Sequence, residues 1–310
     1  MEQHLRLEHQ AAVNYMRIAI GPARDFPSWH WCGGDLIPEM RRLGHDVRSF
    51  WTYRELSHSC FDTVLIIKSP PPVKEIMKIE RMTYIPVDFF ETEGQIREHR
   101  AFLESCSVVA THCSRLDSFL LPYCTKLKHV DHYGKYVLSE MSDYKPEGFV
   151  LWTGQGKYVK NVLNWYEGEH CKRNLRLNIL TNDRGWVWKP LHSLGINIDL
   201  WSEELHLQRL GVCRASLDIK GSGFEQMTKP PTKAQQCVAS GVPMAANRES
   251  YAWQWFHERG FDLADPDDEE KWFGRRYWEE TREFGLHLRD EISKPKVAAS
   301  YLDLLTGERQ

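Results

Sequence analysis

The sequence has no apolar run approaching the length of a membrane span, no C-x-x-C pair, no low-complexity tract and no repeat of solenoid period. The first absence excludes a helical bilayer span. The second removes the ligand spacing of most zinc sites. The last two exclude linker-like and stacked-repeat architectures. Positive charge is also not in excess. The formal net charge is -3 and the pI near 6.5, which excludes the global basic footprint of a non-specific nucleic-acid binder and leaves room only for a local basic patch. Residues 1–16 are mixed polar, with Glu2, Arg6 and Glu8, and lack the apolar centre of a secretory signal. They read as a short helix or a frayed leader.

Eight cysteines are present, at Cys32, Cys60, Cys106, Cys113, Cys124, Cys171, Cys213 and Cys237. Scattered in this way over 310 residues, they point to a reducing compartment, and a cytoplasmic location is expected. The neighbours His112–Cys113 and His170–Cys171 read as buried thiols beside incidental histidines rather than as metal ligands.

What the chain does have is a globular composition, 42% hydrophobic and 27% charged, and a length comfortable for two domains. Apolar runs read as strands at Met16–Gly21, Val47–Trp51, Asp62–Ile67, Tyr84–Phe90, Val108–Thr111 and Leu127–His132. Leu36, Ile37, Met40 and Leu43 recur at helical spacing between the first two. A second series follows at Gly148–Thr153, Leu175–Thr181, Ile196–Trp201, Cys213–Ile219 and Val242–Ala246, with helical segments at Glu269–Arg289 and Pro295–Leu305 closing the chain. Alternating strands and helices imply α/β architecture with parallel sheets. The segment Tyr144–Gly148 is the best linker. It divides the chain into two Rossmann-like domains, 1–146 and 147–310, facing across a cleft, with the last helix returning to the N-terminal domain.

The most informative stretch runs from Lys229 to Pro243, K-P-P-T-K-A-Q-Q-C-V-A-S-G-V-P. Two prolines open a helix, where a missing N–H costs nothing. Thr232 and Lys233 bring a hydroxyl and a cation to the end whose N–H groups and partial positive charge suit a phosphate. Gly241 ends the helix. A ligand-facing Lys233 is expected to have no buried partner.

This stretch resembles the donor-binding helix, with its A-S-G-x-P ending, of GT-B glycosyltransferases of the family-four-like group. Other segments carry the same resemblance: Gly33-Gly34, then Leu43-Gly44-His45-Asp46-Val47; Gly154 followed by Lys160; and Phe261 to Pro266 with the final helix. The resemblance implies two Rossmann-like domains and transfer of a sugar from a nucleotide-sugar donor, UDP- or GDP-linked, to an acceptor hydroxyl, with retention of anomeric configuration among the outcomes it allows. It assigns donor contacts to Gly33, Gly34, Gln155, Lys157, Lys160, Lys229, Thr232, Lys233 and Gln236. Two departures stand out. The family's paired glutamates fall at Thr228 and Gln236, and the arginine of its first C-terminal loop falls at Gln155.

The implied chemistry is displacement at an anomeric carbon, with charge developing on a departing nucleoside diphosphate. Lys160, Thr232 and Lys233 form an electrostatic clamp on that charge, with Lys229 on its rim. Such a clamp needs no metal, and no metal ligand or further cofactor is assigned. Acceptor activation falls to Asp25, His30 and Asp88 in the N-terminal half, with His132 a further candidate. Their plainer alternatives are a turn cap for Asp25, packing between tryptophans for His30 and a cap for Asp88. Trp29 and Trp31 could stack on a sugar or base. A glycan, a lipid-linked sugar, a small metabolite and a modified nucleic-acid base all remain open as acceptors. A nucleotide-sugar epimerase or hydrolase on the same scaffold, and a binding protein without turnover, also remain open.

Overall fold

The computed structural model describes residues 15–58, 61–76, 79–167, 175–187 and 195–307. Cys60, His170, Cys171 and most of the N-terminal leader lie outside them. The chain forms two compact units: Met1–His132 together with Lys294–Gln310, and Tyr133–Ser293.

The first unit holds a six-stranded sheet built from β1 (Arg17–Gly21), β2 (Asp46–Ser49), β3 (Thr63–Ile67), β4 (Met82–Ile85), β5 (Val108–Thr111) and β6 (Leu127–His129). Its spatial order is β2-β1-β3-β4-β5-β6 and every pairing is parallel. All five residues of β3 are buried, as its unbroken apolar run requires of a central parallel strand. The last helix, Lys294–Thr306, packs on the helix Ile37–Arg42 and on β3, so the chain's end does belong to this unit. It buries Val297, Ala298, Tyr301, Leu302 and Leu305, which recur at three- and four-residue intervals.

The second unit holds β7 (Phe149–Gly154), β8 (Arg176–Thr181), β9 (Ile196–Leu200), β10 (Ala215–Asp218) and β11 (Met244–Ala246), in the order β11-β10-β7-β8-β9 and again all parallel. From β7 the chain winds outward through β8 and β9, then crosses back to β10 on the other side of β7. The carboxyl ends of β7 and β10 therefore flank a topological switch point, the place where open parallel sheets bind their ligands.

All eleven expected strands are present. Several boundaries differ from the sequence reading; the sixth strand ends at His129 rather than at His132. The fourth strand ends at Ile85, because Pro86 cannot continue a ladder and Val87 adopts a left-handed φ of 54°. Asp88 consequently sits in a turn. The division between units falls after His132 rather than after Pro146. The stretch between is bound to the second unit: Gly134 N–H donates to the Ile292 carbonyl at 2.8 Å, Ser142 N–H to Ser240 O at 2.8 Å, and the Trp278 indole N–H to Ser142 O at 3.1 Å. The first expected closing helix is broken at Gly274 into Glu269–Trp272 and Arg275–Glu291.

Two glycines have definite geometric work. Gly241 ends the helix Thr232–Ala239 with a φ of 72°, as its position in the motif predicts. Gly285 lies where the long helix Arg275–Glu291 crosses Thr232–Ala239, and a Cβ there would fall 2.1 Å from the Val238 carbonyl oxygen.

Candidate functional site

The side chain of Lys233 lies at the switch point of the second unit. From the first turn of Thr232–Ala239, its ammonium donates to the carbonyl of Thr153 in β7 and pairs with Asp218 Oδ1, at the end of β10, at 3.3 Å. It also stands over the buried Trp152 ring at 5.0 Å. A second cation, Lys220, reaches the same carboxylate oxygen at 2.9 Å, and the Ser250 hydroxyl donates to Asp218 Oδ2 at 2.7 Å. Asp218 is only 3% exposed. Burial alone would raise its carboxyl pKa; the two ammonium groups and the hydrogen bonds from Lys220 and Ser250 outweigh it and hold the group well below the usual carboxylate range. The pKa of Lys233 is lowered as well, but here burial is the cause rather than the opposing influence. Burial, then repulsion from Lys220, pulls it down to about 8 against the attraction of Asp218. Its side chain keeps 33% of its surface exposed, so water screens part of that loss and a ligand can reach it.

The expectation that Lys233 lacks a buried partner is therefore corrected. The reason is topological: β7 and β10 are neighbours, so a lysine in the first turn of this helix meets both strand ends. Lys220 and Asp218 were not singled out from the sequence. Their signal was available as an acid closing a strand, followed by lysine and Gly221-Ser222-Gly223.

The expected donor residues of the second unit other than Lys233 follow β7 or lie in and before the helix Thr232–Ala239. Lys157 follows the Gly154-Gln155-Gly156 loop and pairs with Glu225 at 2.8 Å; Lys229 meets the same carboxylate at 3.2 Å. Counting Lys157, Lys220, Lys229 and Lys233 against Asp218 and Glu225, four cations face two carboxylates, a surplus of two positive charges. Gly156 N–H donates to Asn182 Oδ1 at 3.1 Å, and a Cβ there would meet Asp183 at 2.2 Å, so glycine is needed for the loop to pass. Gln155 and Lys160 are exposed. Thr232 is buried at the helix start. Gln236 is 3% exposed, and its Nε2 has no hydrogen-bond partner among the described residues. A buried amide N–H left unsatisfied is costly, so it marks a place where a ligand oxygen would be welcome.

In the first unit, Asp25 is exposed just past β1. His30 is 45% exposed, with Nδ1 3.5 Å from Asp35. Asp88 pairs with Lys68 at 2.7 Å, across residues that follow β4 and β3. Gly33 and Gly34 lie in a π-helical turn, His30–Gly34, and the indole of Trp29 occupies the space their side chains would fill, 2.7 Å and 2.9 Å from where a Cβ would lie. Packing against Trp29 thus accounts for both glycines. Trp31 stacks on His132 at 5.5 Å. His132 does not face solvent: it is 2% exposed, and burial pushes it down to about 3, which fits a neutral, enclosed imidazole rather than an accessible base. His112 lies against His132 and not in a pair with Cys113, because its ring turns toward Cys32. Among the described residues all six cysteines are free thiols, and no helix is long and apolar enough to cross a membrane.

No protein-family model and no curated protein matches the sequence. Solved structures do resemble it. AviGT4, a glycosyltransferase involved in avilamycin A biosynthesis, is 13% identical with a TM-score of 0.61, covering 94% of this chain and 99% of that one. WaaG, a glycosyltransferase involved in lipopolysaccharide biosynthesis, is 12% identical with a TM-score of 0.59 over 94% and 100% of the two chains. Anabaena HepE, solved with UDP and glucose, is 8% identical with a TM-score of 0.60 over 95% and 100%. With two parallel α/β sheets, a final helix that rejoins the first unit, and near end-to-end likeness to these structures, the chain has the GT-B fold.

Proposed function

We propose that this protein transfers a glycosyl group from a nucleotide-sugar donor to an acceptor hydroxyl, and that the second unit binds the donor. The observation that carries the reading is the position of Lys233: a partly accessible ammonium, in the first turn of a helix, held between the ends of the two strands that flank a topological switch point. Fold likeness to glycosyltransferases supports the reaction class.

In this mechanism the donor diphosphate enters with its terminal phosphate against Lys233 and Lys220. Asp218 keeps both ammonium groups in place before the ligand arrives, so little reorganisation is needed when the anomeric bond breaks and charge grows on the leaving phosphate. Backbone N–H groups at the start of Thr232–Ala239 add to the same field. Lys157 and Lys229 stay at the rim, partly neutralised by Glu225, and Lys160 adds charge from solvent. Gln155 lines the loop where an arginine would otherwise sit. Gln236 donates its unpartnered N–H to the ribose, in place of a glutamate that would accept from it. The cations supply the charge stabilisation, so the mechanism assigns no step to a divalent ion. The first unit carries the acceptor. His30, oriented by Asp35, is the candidate base there, with Asp25 and Asp88 as polar contacts.

The test is a panel of UDP- and GDP-sugars incubated with the protein and a cell-extract acceptor pool, read by mass spectrometry. Sugar-mass additions to an acceptor, absent in Lys233→Ala, are the expected result. Donor isomerisation or hydrolysis in the absence of acceptor would replace the proposal with an epimerase or hydrolase. Donor binding with no product would indicate a protein without turnover.

A further inference from the structure

Cys32, His112 and His132 are far apart in sequence and belong to no ligand motif, yet the fold brings them together in the first unit. Cys32 is in the π-helical turn after β1, His112 directly follows β5, and His132 lies just past β6. Cys32 Sγ is 3.5 Å from His112 Nε2 and 3.4 Å from His132 Nε2, and the three ligand atoms lie within 4.8 Å of one another. All three residues are buried, at 0%, 3% and 2% exposure.

We infer that these three side chains form a site for one borderline-soft divalent metal ion, zinc above all, held by the Cys32 thiolate and the two imidazole Nε2 atoms.

Two observations carry this. The first is distance. Zinc–sulfur bonds of about 2.3 Å and zinc–nitrogen bonds of about 2.0–2.1 Å, set at the tetrahedral angle, place sulfur and nitrogen about 3.5 Å apart. Both observed separations match that value. The second is the tautomer. His112 Nδ1 is 2.5 Å from the Val130 carbonyl, so it carries the proton and donates it there, which leaves the Nε2 lone pair aimed at Cys32. Metal-bound histidines are commonly oriented by such a contact from the other ring nitrogen.

Tyr301, on the last helix, places its buried hydroxyl beside the Cys32 sulfur, which makes it the candidate for a fourth ligand or for holding a bound water. The ion would pin the His30–Gly34 turn to the ends of β5 and β6, and so fix His30, which flanks Cys32. Binding breaks the Cys32 S–H bond and releases that proton to solvent as the metal–sulfur bond forms. The site belongs to the first unit and calls for no metal in the transfer step.

The test uses the full chain. Protein produced in zinc-supplemented medium is desalted and its metal content measured by mass spectrometry. Metal-stripped protein is then titrated with cobalt(II), which reports tetrahedral sulfur ligation through visible ligand-field bands and a near-ultraviolet sulfur-to-cobalt charge-transfer band. Stoichiometric zinc, a tetrahedral cobalt spectrum and competition of cobalt by zinc are expected. Cys32→Ser should lose the charge-transfer band, and His112→Gln should weaken cobalt binding by at least about tenfold, the loss typical of disturbing a metal's coordination. If a variant folds poorly, the wild type alone decides: zinc should raise the melting temperature of the stripped protein. The inference is overturned if the wild type holds no metal and shows neither a cobalt spectrum nor a zinc-dependent shift, or if folded Cys32→Ser binds cobalt as tightly and with the same spectrum.

Discussion

Replacing Lys233 with alanine removes the cation that the structure sets between β7 and β10, and two separate magnitudes follow. The first concerns the ligand. A charge-assisted contact to phosphate contributes about 1.5–3 kcal/mol, which corresponds to roughly ten- to a hundredfold in nucleoside-diphosphate affinity. The second concerns the fold. Truncation takes from Asp218 one of its partners, and a buried charge left wholly unpaired costs about 3–5 kcal/mol. Asp218 is not left so, because Lys220 remains at 2.9 Å and Ser250 at 2.7 Å. The loss of stability should therefore be about 1–2 kcal/mol, nearer the size of one lost polar contact than of an orphaned charge. Isothermal titration with UDP and GDP reads the first quantity, and denaturant unfolding reads the second. Lys220→Ala should weaken affinity similarly. Unchanged affinity in Lys233→Ala, with the circular-dichroism spectrum preserved, would mean that the phosphate site lies elsewhere.

Nucleoside-diphosphate affinity should fall as pH rises through about 8, where free Lys233 gives up its proton. The sign follows from the burial that lowers this lysine's pKa: below 8 the ammonium is present to meet the phosphate, above 8 it is progressively lost. The diphosphate is already ionised by pH 7 and adds no opposing trend. Titrations from pH 7 to 9 check this, and a flat profile would contradict it. Gln236→Ala should weaken UDP binding about three- to tenfold, through the loss of one neutral hydrogen bond, and leave pyrophosphate binding unchanged; equal loss for both ligands would remove the ribose assignment. Gly285→Ala should destabilise the second unit, since its Cβ would sit 2.1 Å from the Val238 carbonyl oxygen. Overpacking of this kind costs about 1–3 kcal/mol, and a melting temperature within a degree of wild type would show that the two helices separate easily.

Much of this fold was legible because parallel strands announce themselves. β3 and β5 are continuous apolar runs with no alternation to misread, and Gly241 ends its helix where the motif places it. The unit boundary was not legible from composition. Lys145-Pro146 looks like a linker, but the residues before it are bound to the long helix and to Ser240 by hydrogen bonds that no local pattern reveals. At the candidate site, Lys233 was visible as a cation at a helix start. Its partner Asp218 was not, because the pairing depends on β10 returning beside β7. The Cys32–His112–His132 cluster was hidden for the same reason: its members come from the ends of three strand-loop units, and neighbouring Cys113 drew attention to the wrong thiol. Gly33 and Gly34 suggested room for phosphate, whereas the room is taken by the Trp29 indole.

The most direct test of the central claim is a crystal structure of the protein with a nucleoside diphosphate bound. The account predicts the terminal phosphate within hydrogen-bonding distance of Lys233 Nζ, at the start of the helix Thr232–Ala239, with the ribose near Gln236. A diphosphate bound away from the carboxyl ends of β7 and β10, with Lys233 still engaged only by Thr153 and Asp218, would contradict it.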